Sequence, residues 1–167
     1  MARGRRHVHR ADRPEDGMSK ILGIDPGMDT GLATFEGGKL VALDTITPLE
    51  LERTIRAARP DWVIYEDSRL QSRAWNAHSK AAKGAALATA RDLGTVDAWC
   101  GLIDMICKEL GIAAQGISPA AKGPKRAAEN FKAYTGWQGR CNQHERDAAM
   151  VGWTFRQAAP EKKARAA

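Results

Sequence analysis

The sequence has no apolar run long enough to span a bilayer, and no apolar segment follows its basic N-terminus. Neither a membrane protein nor a secretory precursor is expected, and the cytoplasm is the expected compartment. Cysteine is scarce: Cys100, Cys107 and Cys141 stand apart, with no CxxC and no second cluster. An odd count without metal spacing excludes a thiolate metal centre and a disulfide framework, and suits a reducing compartment with free thiols. Internal repeats and a low-complexity core are also lacking. At 167 residues there is room for one domain with a real core and little room for two.

Basic residues are in excess. The formal net charge is +6 and the pI is near 9.5, a balance that suits a polyanionic partner without requiring one. Much of the excess sits in two tails, "MARGRRHVHRADRPEDG" and "RQAAPEKKARAA". Both lack apolar periodicity and read as disordered, which bounds a basic tail at 1–17, a folded domain at 18–156 and a second tail at 157–167. Two readings of the first tail stand side by side: an arm that touches DNA, or an upstream extension with Met18 as the functional start.

Between the tails the pattern is regular. Lys20 to Asp25 reads as a buried strand, and Thr30 to Glu36 and Lys39 to Ile46 as a hairpin turned by Gly37-Gly38. In "TPLELERTIRAARP" Thr47 is a natural N-cap, Pro48 suits the first helical position, Glu50 completes a capping box and Pro60 stops the helix. "DWVIYE" is a strand from Asp61 to Glu66. A polar loop, "DSRLQSRAWN", leads to a long helix from about His78, with one apolar face formed by Val96, Trp99, Ile103, Ile106 and Leu110. Gly94 is expected to interrupt or kink this helix and Gly111 to end it. "IAAQGIS" is a short strand, a helix is expected from near Pro124 to Gly136, and a last helix starts at the cap Asn142. A meander followed by alternating helices and strands predicts an α/β fold with a mixed sheet and helices on both faces.

Two strands end in acids, Asp25 and Glu66, where an unpaired charge is expensive. On the last helix His144 and Asp147 are three residues apart and share a face. Carboxylates and a histidine converging from three elements would form an oxygen-rich site for Mg²⁺ or Mn²⁺. Such sites hold two ions roughly 3.5–4 Å apart and drive in-line phosphodiester cleavage. Each residue also has a structural alternative. Asp25 and Glu66 taken singly suit caps or turns, and Glu145 suits a capping box with Asn142. Asp67 should point to the other side of its strand, as a loop or supporting residue. Asp29 sits in a turn, His78 is isolated, and the tryptophans read mostly as core. "GIDPGMDTG" also resembles the phosphate-binding hairpin of actin-like ATPases and sugar kinases. Those need a second similar domain, for which the chain is too short, and no second Gly-rich loop is present, so no nucleotide cofactor is expected.

Taken together, "ILGIDPGMDTG", "RPDWVIYE" and "HERDAAM" resemble the three acidic motifs of RuvC-type Holliday-junction resolvases, in the ribonuclease H-like superfamily. The resemblance runs from about Ser19 to Arg156, and its later part, "SPAAKGPKRAAENFKAYTGWQGRCNQHERDAAMVGW", is most similar to phage and prophage members. It implies a ribonuclease H-like mixed five-stranded sheet and a homodimer that uses Mg²⁺, with Mn²⁺ as a substitute. Paired nicks in like-polarity strands of a four-way junction would leave 5′-phosphate and 3′-hydroxyl ends. Asp25, Glu66 and Asp147 would be metal ligands, with Asp25 bridging two ions and His144 at a position that holds Asp or His. Lys122 and Lys125 are the implied lysines at the scissile phosphate; read from the residues alone they are equally helix-start charges. Where many members carry an aromatic wedge, this chain has Arg69 and Leu70. Arg69 and Arg73 are candidates to grip phosphates and Trp75 to stack on an unpaired base. The stripe from Val96 to Leu110 is expected either at the dimer axis or in the core. Two alternatives stand beside this reading: a related nuclease for flaps, forks or RNA–DNA hybrids, and a junction-binding protein that does not cut.

Overall fold

In the computed structural model, residues 19–71 and 83–158 are described. The tails at 1–17 and 159–167, and Arg73, Trp75 and His78, lie outside the described residues. Five strands form one sheet: β1 (Lys20–Asp25), β2 (Thr30–Glu36), β3 (Lys39–Ile46), β4 (Trp62–Glu66) and β5 (Ala113–Ile117). Their order is β3-β2-β1-β4-β5. β1 and β3 pair antiparallel with β2, while β4 pairs parallel with both β1 and β5. The meander and its hairpin have the boundaries expected from the sequence. Gly37 and Gly38 take φ of 57° and 80°, the left-handed conformations that a tight two-residue link requires.

Five helices complete the described fold: α1 (Leu51–Ala58), α2 (Lys83–Leu110), α3 (Pro119–Lys122), α4 (Ala128–Thr135) and α5 (Gln143–Trp153). One 3₁₀ turn, Pro48–Glu50, precedes α1, and the Glu50 carboxylate accepts hydrogen bonds from Thr47 N at 3.0 Å and Thr47 Oγ1 at 3.1 Å. Two expectations are corrected. Gly94 does not interrupt α2, whose helical run is continuous through it. A single glycine costs about 1 kcal/mol in a helix, and the helix around it docks Cys100, Ile103, Ile106 and Cys107 into the core. The helix expected from near Pro124 to Gly136 begins only at Ala128, as α4, and closes at Gly136 as expected; ahead of it the short α3, not foreseen, ends at Gly123, whose φ is 80°.

Strand alternation sorts the side chains to two faces. Ile21, Ala33, Phe35, Trp62, Ile64 and Ile117 pack on one face with α4 and α5, through Phe131 and Ala148 to Val151. Leu22, Ile24, Leu32, Val63 and Tyr65 pack on the other, with α1 and α2. Val96, Ile103, Ile106 and Leu110 of the expected apolar face belong to this second layer, while Trp99 is half-buried and outside it. Of the two places expected for that stripe, these residues take the core: they face the sheet.

Candidate active site

The same alternation decides which acids meet. In β1, Gly23 and Asp25 share the face of Ile21; in β4, Glu66 shares the face of Trp62 and Ile64. β1 and β4 are parallel neighbours, with Ile24 opposite Tyr65, so Asp25 and Glu66 end side by side on the face that carries α5. Asp67, one residue on, points to the opposite face as expected.

α5 reaches these acids because two glycines let it lie directly on the sheet. Gly31 pairs with Asp25 across β1 and β2. A methyl group at Gly31 would fall on the backbone carbonyl of His144, and one at Gly23 on the carbonyl of Ala148. Backbone therefore touches backbone where any larger residue would hold the helix off. The N-terminus of α5 is pinned laterally too. Asn142 Oδ1 caps Glu145 N at 3.0 Å, Glu145 Oε2 accepts from Asn142 N at 2.9 Å, and Asn142 Nδ2 donates to Thr45 Oγ1 of β3 at 2.7 Å. Glu145 is thus the capping residue the sequence suggested.

The result is a cluster of three carboxylates around one ammonium. Lys122, on the one-turn helix after β5, has its side chain only 9% exposed, and Nζ ion-pairs directly with Glu66 Oε2. The same Nζ lies 3.6 Å from Asp25 Oδ1 and 3.8 Å from Asp147 Oδ2. His144 Nδ1 is 3.3 Å from Asp25 Oδ2, and its side chain is 47% exposed. Burial pushes the Asp25 carboxyl above its ordinary range, with the charges of Glu66 and Asp147 adding to the rise and Lys122 and His144 opposing it. For Lys122 burial works against the charged form, but the close ion pair with Glu66 and the charges of Asp25 and Asp147 outweigh it, so its ammonium is held above the ordinary lysine range.

Three carboxylates hold more negative charge than one ammonium offsets. Glu66 Oε2 is buried and meets Lys122 as an ion pair without an aligned hydrogen bond. In donor type and in charge the group fits a hard divalent cation. In spacing it is arranged around Nζ: among the described residues no three Asp, Glu, His or Cys side chains stand close enough to hold one ion as they are.

The remaining candidates fall elsewhere. Lys125 is exposed, three residues beyond Lys122. Arg69 folds back on the α2 face of the sheet. It donates from Nε to Asp67 Oδ1 at 2.7 Å, and from Nη2 to Asp67 Oδ2 at 2.8 Å, Asp104 Oδ2 at 2.8 Å and Tyr65 Oη at 2.9 Å. Its charge is engaged within the protein, while Leu70 beside it is 55% exposed. Arg73 and Trp75 lie outside the described residues. The sequence reading missed Gln143, whose Nε2 donates to Asp147 Oδ1 at 2.9 Å. The available signal was its place four residues before Asp147 on one helix face.

No family model and no curated protein matches the sequence. Solved structures do. T. thermophilus RuvC in complex with a Holliday junction substrate superposes with a TM-score of 0.56 at 16% identity, covering 82% of this chain and 92% of that one. A second T. thermophilus RuvC structure gives a TM-score of 0.53 at 17% identity, over 81% and 92%. The fold is ribonuclease H-like. Its mixed five-stranded sheet, with antiparallel and parallel strands flanked by helices, matches these neighbours.

Proposed function

We propose that the protein is a metal-dependent, structure-selective DNA endonuclease of the RuvC type, one that nicks four-way or related branched DNA. The observation that carries this reading is the meeting of Asp25, Glu66 and Asp147 around Lys122, at the ends of the two central parallel strands of a ribonuclease H-like sheet. Asp25, Glu66 and Asp147 would hold Mg²⁺ or Mn²⁺, with His144 completing the set. Such ions supply an activated water and stabilise the leaving 3′-oxygen.

The chain's own groups account for the rest. Lys122 keeps its proton at neutral pH and stands at the carboxylates, where it offers positive charge to a phosphate entering the site. His144 lies against Asp25 with about half its side chain open to solvent, which suits it to pass a proton between the site and water. Lys125, exposed three residues beyond Lys122, is a phosphate contact that would set position without reading sequence. The active form is a homodimer, as symmetric paired nicks require. With the inner face of α2 in the core, its outer face, where Met105 is 65% exposed, is the side available for that contact.

The test is an immobile four-way junction, labelled on each strand, with the protein and Mg²⁺. Paired symmetric nicks with 5′-phosphate ends are expected, and Asp25→Asn should abolish them while leaving junction binding. A junction left uncut by wild-type protein would refute the enzyme. Equal cutting of plain duplex would refute the selectivity.

A further inference from the structure

Asp147 is the most enclosed acid of the cluster, 4% exposed, and its two oxygens have different surroundings. Oδ2 faces Lys122 Nζ at 3.8 Å, toward the site. Oδ1 accepts from Gln143 Nε2 at 2.9 Å. A glutamine amide can present either its oxygen or its nitrogen, and only the nitrogen attracts a carboxylate. Arg146 decides between them: its Nη2 donates to Gln143 Oε1 at 2.9 Å. Arg146 is itself fixed, with Nη1 donating to the Cys141 carbonyl at 2.8 Å and Nε to the Arg126 carbonyl at 3.0 Å. An arginine therefore orients an amide, and the amide orients the acid.

The chemistry of this arrangement differs from that of Asp67, which is paired directly with the guanidinium of Arg69. A direct arginine would neutralise Asp147 and compete with any cation. A neutral donor fixes the carboxylate but leaves its charge unspent. We propose that Gln143, held by Arg146, is a positioning residue that aims Asp147 Oδ2 into the site and so sets the affinity of the site for a divalent cation. The proposal rests on the metal-dependent reading given above. Supporting residues that hold a ligand in this way typically change metal affinity by about 10–100-fold when lost.

The experiment measures Mn²⁺ binding to the full chain by calorimetry, together with the Mg²⁺ dependence of junction nicking and the melting temperature without metal. The variants are Gln143→Leu, which keeps the bulk and removes the donor, and Arg146→Lys, which keeps the charge and loses the fork. Gln143→Leu is expected to weaken Mn²⁺ binding about 10–100-fold and to move the Mg²⁺ requirement for nicking upward by the same factor. Nicking should recover at saturating metal, and the metal-free melting temperature should stay close to wild type. Arg146→Lys should weaken binding by a smaller factor. If Gln143→Leu does not fold, Gln143→Asn, whose shorter amide falls short of Asp147, serves the same measurement. Unchanged Mn²⁺ affinity in a wild type that binds metal and cuts junctions would overturn this inference alone. So would a loss seen only as a lower melting temperature. A wild type that binds neither Mn²⁺ nor Mg²⁺ would overturn the metal-dependent reading and this inference with it.

Discussion

Gly31→Ala tests how the acids are brought together. Gly31 has ordinary strand dihedrals, so space rather than backbone strain decides the outcome. Two effects oppose each other. Replacing glycine by alanine inside a strand normally stabilises by about 0.5–1 kcal/mol. Here the new methyl group would meet the His144 carbonyl and, at 3.1 Å, the Glu145 amide nitrogen. Both are backbone atoms, so no flexible side chain can give way. Restoring an ordinary C···O separation requires α5 to lift by about 1 Å. Overpacking of this kind costs about 1–3 kcal/mol, and lifting also loosens the Asn142–Thr45 tie at 2.7 Å. A net loss of about 1–2 kcal/mol is expected, or a melting temperature lower by roughly 2–6 °C. The larger effect is geometric. His144 and Asp147 ride on the displaced helix, while Asp25 and Glu66 stay on their strands. A misplacement of about 1 Å can cost about 10²-fold in rate. The assay is Mg²⁺-dependent nicking of a four-way junction, at a temperature where thermal melts show the variant fully folded. A variant with wild-type stability and a nicking rate within twofold of wild type would refute the close backbone contact and the route by which α5 delivers its two residues.

Gly94→Ala should do the reverse: it lies in the long helix, a methyl group there meets nothing within 4 Å, and the gain of about 1 kcal/mol should raise the melting temperature without changing nicking. A lower melting temperature would show that α2 needs the glycine. Arg69→Ala should destabilise by about 1–3 kcal/mol at neutral pH, discounted from a fully buried pair because the Arg69 side chain is 35% exposed. Burial alone would raise the Asp67 carboxyl, but the Arg69 side-chain and backbone hydrogen bonds outweigh it and hold it below its ordinary range. A carboxyl lowered in the folded state contributes stability that is complete above the unfolded value, near about 3.9, and is lost as the pH falls through the folded one. Urea melts of wild type and Arg69→Ala should therefore differ most at pH 7 and converge in acid; a gap independent of pH would refute the ionic role of the pair.

Much of the site could be read from the chain because its logic is local. Asp25 and Glu66 each end an apolar strand, and His144 and Asp147 share a helix face by spacing alone, so three elements announced their acids separately. The strand period of two puts Glu66 and Asp67 on opposite faces. What could not be read was long-range. Arg69 sits in a polar loop and reads as a free cation although Asp67 is two residues away; what the sequence hides is the fold-back that also ties it to Asp104, 35 residues on in α2. Lys122 and Lys125 look alike in sequence; only the turn at Gly123 sends the first inward and leaves the second exposed. Gly94 carries a helix-breaking propensity that tertiary docking of α2 overrides. Gln143 is visible as a neighbour of Asp147, but the direction of its amide depends on Arg146, and that depends on the carbonyls of Arg126, before α4, and Cys141, before α5.

Glu66 and Asp67 are adjacent in sequence, and their different partners bear on how the proposed nuclease would meet DNA. Asp67 is paired in place with the guanidinium of Arg69, away from the α5 face. On the α5 face three carboxylates share one ammonium, which leaves an excess of negative charge at the point where a phosphate would have to enter. The site should therefore repel a DNA backbone until further positive charge arrives, which makes productive DNA engagement conditional on the cation. One unit charge at about 4 Å in a solvent-accessible setting is worth about 1 kcal/mol, or roughly fivefold in affinity. Asp25→Asn should accordingly bind a four-way junction about fivefold more tightly than wild type in the presence of a chelator, and the gap should close as Mg²⁺ is added. Binding isotherms at one fixed salt concentration decide it, since salt alone shifts such affinities. Equal affinities without metal would mean that the DNA backbone does not approach the carboxylates at all, and that the phosphate contact at Lys122 is wrongly placed.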